Sequence, residues 1–249
     1  MEGAMIIIVL GMHRSGTSLV SSILHAMGVC MGDPIHLERR DPQSQPQGYW
    51  EDQDFVALNR QIIKAAGGHW HNPPTRESIL RAARRWAPEM EALIAEKEEG
   101  VRKINEAGKA LTGAPQHIGW GWKDPRSCLT MEAWWNHLAD EDVRFVRVRR
   151  KAAAIVDSLI RRGEQLGGVP AGQQAEAWVP IISDHENRIT NFFIRSGKAE
   201  ASVEAHFEHL VRKDDALVPL TKIATLLGLE GEEFIEAIQR GMERIEFRG

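Results

Sequence analysis

The 249-residue chain has few of the features that mark membrane-spanning or secreted proteins. Its most apolar N-terminal run, Met5 to Leu10, has only six residues, whereas a membrane-spanning helix needs about 18 or more. No basic flank precedes this run, so it also lacks the pattern of a signal peptide. We therefore expect no membrane span and a cytoplasmic location.

Cysteine and strong net charge are scarce as well. Cys30 and Cys128 lie far apart without metal-type spacing, which is typical of a reducing compartment. There is no His-Glu-x-x-His zinc motif and no Gly-x-Ser-x-Gly nucleophile elbow. The formal net charge is -4, so any anion must be bound by a local cluster of donors. The sequence predicts neither a metal site nor a nucleic-acid partner.

What the sequence does have is an α/β pattern. Met5 to Leu10 is rich in β-branched residues, as in a parallel strand buried on both faces, and apolar residues at helical spacing follow Gly11. We predict a central parallel sheet flanked by helices, in a single domain covering residues 1–249. Further strands are predicted at 117–123, 143–148 and 203–207, and a helical, lid-like insertion over the sheet at about 53–112.

The turn between the first strand and the first helix is the most specific motif. It reads Gly-Met-His-Arg-Ser-Gly-Thr-Ser over residues 11–18. The spacing of Gly11 and Gly16 matches a Walker A loop, but Thr17 stands where a nucleoside-triphosphate enzyme requires lysine. Arg14 is the only cation in the turn. A helix N-terminus of this kind binds anions, although a glycine turn with a Ser/Thr helix cap explains the pattern too.

The string from Arg14 to Ser18 resembles the 5′-phosphosulfate loop of sulfotransferases, which use 3′-phosphoadenosine 5′-phosphosulfate (PAPS) as the donor. The resemblance implies a P-loop-like sulfotransferase fold and a reaction that needs no metal. It also implies that Arg14 contacts the bridging oxygen and the sulfuryl group. The 5′-phosphate would be held by Ser15, Gly16, Thr17 and Ser18.

A second anion site is implied near the end of the third predicted strand. Sulfotransferases bind the 3′-phosphate of PAPS with an arginine at a strand end and a serine eight residues later. Arg150 and Ser158 have this spacing. Since Lys151 and Ala152 depart from the family pattern, Arg149 is kept as a substitute. A solvated basic strand end is the alternative interpretation.

Two more strings resemble sulfotransferase motifs. The Lys-Asp-Pro-Arg string at residues 123–126 implies that Lys123 and Arg126 lie near the donor or the acceptor. A Gly-aromatic-aromatic-Glu string makes Glu51 the first candidate for the base that takes the acceptor's proton. Glu38 is the second candidate, and His13 and His36 are weaker ones.

These motifs predict a sulfotransferase that transfers a sulfuryl group from PAPS to a hydroxyl or amine. The acceptor is not given by the sequence, and a glycan or a small metabolite is expected. Two rival predictions remain: a P-loop kinase or other nucleotide-binding enzyme, and a catalytically inactive nucleotide-binding scaffold.

Overall fold

The computed structural model describes residues 4–32, 48–112 and 116–247, with the backbone alone at 110–112. Its centre is a sheet of five parallel strands, which are β1 (Met5–Leu10), β2 (Val29–Cys30), β3 (Gly119–Lys123), β4 (Val143–Arg149) and β5 (Ser202–His206). The strand order is β2-β3-β1-β4-β5. The predicted class, a parallel α/β sheet flanked by helices, is confirmed.

Ten α-helices connect and cover the strands of the described ranges. They are α1 (Thr17–Ala26), α2 (Gln53–Ala65), α3 (Arg76–Ala83), α4 (Ala87–Thr112), α5 (Ser127–Trp135), α6 (Ala152–Arg161), α7 (Gln174–Ser196), α8 (Phe207–Leu210), α9 (Leu217–Leu226) and α10 (Gly231–Glu243). Within the described residues, no helix combines the length and apolarity needed to cross a membrane.

Strand β1 contributes side chains to the hydrophobic core on each face of the sheet. Ile6, Ile8 and Leu10 pack into the core on one face of the sheet, while Ile7 and Val9 pack into the core on the other. This is why the run is apolar at every position, since successive side chains of a strand alternate between its two faces.

The predicted insertion contains α2, α3 and α4, and its helices share the core of the sheet. Phe55 of α2 stacks on Trp122 of β3, with ring centroids 4.3 Å apart. On the other face of β3, a Cβ at Gly121 would lie 1.9 Å from the carbonyl oxygen of Ile7, so only glycine fits there. The alternation of glycine and tryptophan in β3 therefore reflects packing. The lid-like role and the single-domain organisation stay predictions.

The topology gathers the predicted functional residues at one edge. The chain visits β2 and β3 on one side of β1, and β4 and β5 on the other. The carboxyl ends of parallel strands meet at the same edge, and ligands of open α/β sheets bind where the strand order reverses. The turns that follow β1, β3 and β4 lie at this point.

Candidate active site

The turn after β1 is held in an unusual backbone conformation. Gly16 has φ +101°, and a Cβ there would lie 2.3 Å from the ring of Phe207. Arg14 has φ 67°, a left-handed conformation that costs a non-glycine residue about 1–2 kcal/mol. The Ser15 amide donates to the Met12 carbonyl at 3.1 Å and closes the turn. Backbone strain of this kind is found at ligand-binding and active sites.

The two anion-binding motifs predicted from the sequence meet directly. Arg14 Nε donates a hydrogen bond to Ser158 Oγ at 3.0 Å, across 144 positions of sequence. Arg150 Nη1 donates to the backbone carbonyl of Arg14 at 2.8 Å. The Arg150 guanidinium lies over the ring of Phe207, 4.4 Å from its centroid. The loop is therefore in direct contact with both Arg150 at the end of β4 and Ser158 of α6.

The charge of Arg14 has no carboxylate partner among the residues that the structure describes. Burial and the neighbouring Arg162 guanidinium lower the pKa of Arg14. Both effects disfavour its positive charge, and an anion bound nearby would relieve them.

Arg149, the possible substitute for Arg150, belongs to a different cluster. Its Nε and Nη1 atoms lie 3.7 and 3.5 Å from the carboxylates of Glu186 and Glu204. Arg149 therefore contacts α7 and β5, whereas Arg150 contacts the loop and Phe207 of α8.

Lys123 and Glu51 form a buried ion pair on the other side of the loop. Lys123 Nζ donates to Glu51 Oε1 at 2.8 Å and to Ser18 Oγ at 3.3 Å. Lys123 is 1% exposed and Glu51 is 8% exposed. The structure thus brings the candidate base to the start of α1, with one lysine between the carboxylate and the loop hydroxyl.

Arg126 extends this pair into a network. Its Nη1 atom lies 2.7 Å from Asp124 Oδ1 and 3.6 Å from Glu51 Oε2. Asn59 Nδ2 donates to the other Asp124 oxygen at 2.9 Å. Asn59 lies in the middle of α2, and nothing in the sequence pattern distinguishes it from a surface asparagine.

The segment before α2 positions Glu51. Ser18 Oγ donates to the carbonyl of Tyr49 at 3.0 Å, and Arg162 Nη2 donates to the Tyr49 hydroxyl at 3.2 Å. Trp50 has φ 55°, a second left-handed non-glycine residue. The role of this turn in holding the site is not visible in the sequence, because it depends on contacts with α1 and α6.

The remaining predicted residues are placed as follows. Ser15 is fully buried, and its hydroxyl has no partner in the described part of the chain. Thr17 is also buried at the start of α1. His13 stacks on Trp70, with ring centroids 4.1 Å apart.

Glu38 and His36 lie outside the described residues. No group of three or more His, Cys, Asp or Glu side chains in the described ranges is placed to hold a metal ion.

Comparisons with known proteins add a likeness in fold. No family model matches the sequence, and no curated protein does. A sulfotransferase from Mycobacterium tuberculosis is similar, with 15% identity over 95% of this chain and 71% of that chain, and a TM-score of 0.47. The sulfotransferase domain of the olefin synthase of Synechococcus has 18% identity over 94% and 76%, with a TM-score of 0.48. A sulfotransferase domain from the curacin biosynthetic pathway has 16% identity over 95% and 78%, with a TM-score of 0.49.

Proposed function

We propose that this protein is a sulfotransferase that transfers the sulfuryl group of PAPS to a hydroxyl or amine of an acceptor. The observation that carries the proposal is the contact between the two predicted anion-binding motifs, through Arg14 and Ser158 and through Arg150 and the loop carbonyl. A donor with phosphates at both the 5′ and the 3′ positions requires two such sites close together. ATP requires only the first.

The chemistry of the loop fits the 5′ end of the donor. The start of α1 offers unpaired N–H groups and the positive end of the helix dipole. The buried Ser15 hydroxyl lacks a partner among the described residues, and a phosphate oxygen would supply one. Gly16 keeps the turn tight against Phe207. The loop would therefore bind a phosphate without a Walker lysine.

Arg150 and Ser158 are the proposed ligands of the 3′-phosphate. A guanidinium offers several N–H donors in a planar fork, which matches a phosphate dianion better than a single ammonium does. The ring of Phe207 beneath Arg150 restricts the orientation of that fork. Ser158 accepts from Arg14, so its own hydroxyl hydrogen remains available for a phosphate oxygen.

In the proposed reaction, the acceptor oxygen forms a bond to sulfur while the bond from sulfur to the phosphate oxygen breaks. Negative charge grows on that leaving oxygen, as in phosphoryl transfer. Arg14 and the N–H groups at the start of α1 would stabilise this charge. Glu51 would accept the proton of the acceptor, and Lys123 would hold the Glu51 carboxylate in place. The identity of the acceptor stays open between a glycan and a small metabolite.

One observation favours the rival, a nucleoside-triphosphate enzyme. Lys123 brings an ammonium to 3.3 Å from Ser18 Oγ, and a lysine from β3 could replace the missing Walker lysine at the loop. In the structure this lysine is paired with Glu51, so its charge is already compensated. We therefore rank the kinase second.

A thermal-shift comparison tests the proposal against this rival. Adenosine 3′,5′-bisphosphate and ATP with Mg²⁺ are added separately at equal concentrations. A ligand at about 100 times its Kd stabilises the folded protein by about 2.7 kcal/mol. We expect the bisphosphate to raise the Tm more than ATP does. A larger shift with ATP and Mg²⁺ would support the kinase instead.

Turnover separates an enzyme from an inactive scaffold. PAPS labelled in its sulfuryl group is incubated with the protein and a library of hydroxyl and amine acceptors. We expect label to appear in at least one acceptor class. Tight binding of the bisphosphate without transfer to any acceptor would favour the scaffold. Arg102→Ala, which alters an exposed arginine of α4, serves as a matched control in both experiments.

A further inference from the structure

His13 has a place in the loop that the proposed reaction does not use. Its imidazole stacks on Trp70, and its two ring nitrogens are shielded from solvent. Neither nitrogen has a hydrogen-bond partner among the residues that the structure describes. Leaving a buried polar group unpaired costs about 1–3 kcal/mol, and such groups are uncommon in folded proteins. A ligand bound beside the loop would supply a partner that the ring lacks among the described residues.

Two neighbouring groups share this property. The hydroxyl of Ser15, two residues along the same loop, is buried and unpartnered within the described ranges. His185 of α7 lies near His13, and its Nδ1 is 2.9 Å from the carbonyl of Ile181. A carbonyl only accepts, so Nδ1 carries the hydrogen. Nε2 then bears a lone pair, and it too has no partner in the described part of the chain.

Positive groups on several elements oppose a proton on His13. Burial lowers its pKa most; the charge of Arg126, that of His185 when His185 is protonated, and the charges of Lys123 and Arg162 lower the pKa further. The pKa of His13 therefore lies well below the usual 6.5, and that of His185 is lowered by burial to about 4. Glu51 offsets part of the charge of Lys123 and Arg126. In the absence of an anion, both imidazoles are neutral at pH 7.

We propose that His13 contacts the anion bound at the loop and takes up a proton from solvent when that anion binds. The reason is electrostatic. A phosphate or sulfuryl group beside the loop offsets the cations that keep the ring neutral, and a nearby negative charge favours the imidazolium. Protonation turns the ring into a donor at both nitrogens, so that one of them can donate to an anion oxygen. The inference rests on the proposed function only in that the loop binds an anion.

A linkage between protonation and binding follows. The bound complex holds more protons than the free protein at every pH between the free and the bound pKa of His13. Affinity for adenosine 3′,5′-bisphosphate should therefore strengthen as the pH falls through that window, by up to about tenfold per pH unit. The ligand's own phosphate also titrates near pH 6. A variant without the imidazole separates the two contributions.

The experiment combines imidazole NMR with calorimetry on the full chain. ¹⁵N-labelled protein is titrated from pH 5 to 8 with and without adenosine 3′,5′-bisphosphate, and His13→Asn assigns the signal. We expect the His13 signal to change from the neutral to the protonated form on binding. His137, after α5 near the opposite edge of the sheet, is the internal control. An unchanged His13 signal in the saturated complex would overturn the proposal.

Calorimetry in buffers of different ionisation enthalpy gives the number of protons taken up. At pH 6.5 we expect the wild-type protein to take up more protons on binding than His13→Asn does. If the two proteins take up equal numbers of protons and bind the ligand with equal affinity, the proposal is contradicted. If His13→Asn is unstable, His13→Gln replaces it. ATP is tested in parallel. ATP could bind more tightly than the bisphosphate and still cause proton uptake that depends on His13. That result would overturn the proposed donor but would leave this inference intact. If neither ligand binds, both are overturned.

Discussion

The two sides of the loop hold their cations in different ways. On the β4 side, Arg14 contacts a serine hydroxyl, and Arg150 contacts a backbone carbonyl and a phenylalanine ring. On the β3 side, Lys123 and Arg126 contact the carboxylates of Glu51 and Asp124. The serine hydroxyl orients the Arg14 guanidinium without cancelling its charge, whereas carboxylates cancel the charges of Lys123 and Arg126. We infer that the β4 side binds donor phosphates and that the β3 side supplies a positioned proton acceptor.

The largest expected effect comes from removing a cation on the β3 side, where the cations are paired with carboxylates. Lys123→Met removes one partner of a buried ion pair and leaves the Glu51 carboxylate without its nearest cation. Such changes cost about 3–5 kcal/mol of unfolding free energy, and denaturant unfolding measures the loss. The double variant Lys123→Met with Glu51→Gln should recover part of it. If the unfolding free energy of Lys123→Met lies within 1 kcal/mol of the wild-type value, the ion pair between Lys123 and Glu51 does not stabilise this side of the loop.

Replacing Arg14 on the β4 side should lower the rate of transfer more than it lowers the stability of the fold. Arg14→Ala removes the charge that we propose stabilises the leaving oxygen, and loss of one such stabiliser lowers kcat by about 10²–10³. Steady-state kinetics with PAPS measures the effect. A higher KM with unchanged kcat would mean that Arg14 only binds the donor in its ground state.

Glu51→Gln tests whether the β3 side carries the proton acceptor. The amide keeps the shape of the side chain but cannot take a proton, so transfer should fall by about 10²-fold while the donor still binds. A donor-binding titration and a sulfate-transfer assay against an acceptor library measure the two quantities. Because Lys123 loses its counter-charge in this variant, its stability is measured as well. Undiminished transfer would move the role to Glu38 or to a histidine.

The smallest expected effect concerns the 3′-phosphate. Arg150→Ala should bring the affinities for adenosine 3′,5′-bisphosphate and AMP close together, because a hydrogen bond to a charged group is worth about 1.5–3 kcal/mol. Arg149→Ala is the matched control, since Arg149 pairs with Glu186 and Glu204. Titration calorimetry gives both affinities. If the control variant loses the preference and Arg150→Ala keeps it, Arg149 is the phosphate ligand.

Local patterns in the sequence were enough for the elements that surround the site. Strand β1 is apolar at every position because both of its faces are buried, and the glycine-rich turn lies between it and α1. Predicted strands at 143–148 and 203–207 correspond closely to β4 and β5. Strand β2, with two residues, and helix α5 were not predicted. Helix α5 is buried on most sides and so lacks a clear amphipathic period.

The sequence by itself therefore determined the α/β class, the glycine-containing turn after β1 and the spacing of Arg150 and Ser158, because each depends on residues close together in the chain. Only the tertiary structure decided which charges are compensated. Glu51 and Lys123 are 72 positions apart and form an ion pair, whereas Arg14 is brought to Ser158 and has no such partner within the described residues. The net effect of a charge depends on the groups within a few ångströms in space, and these come from distant parts of the chain.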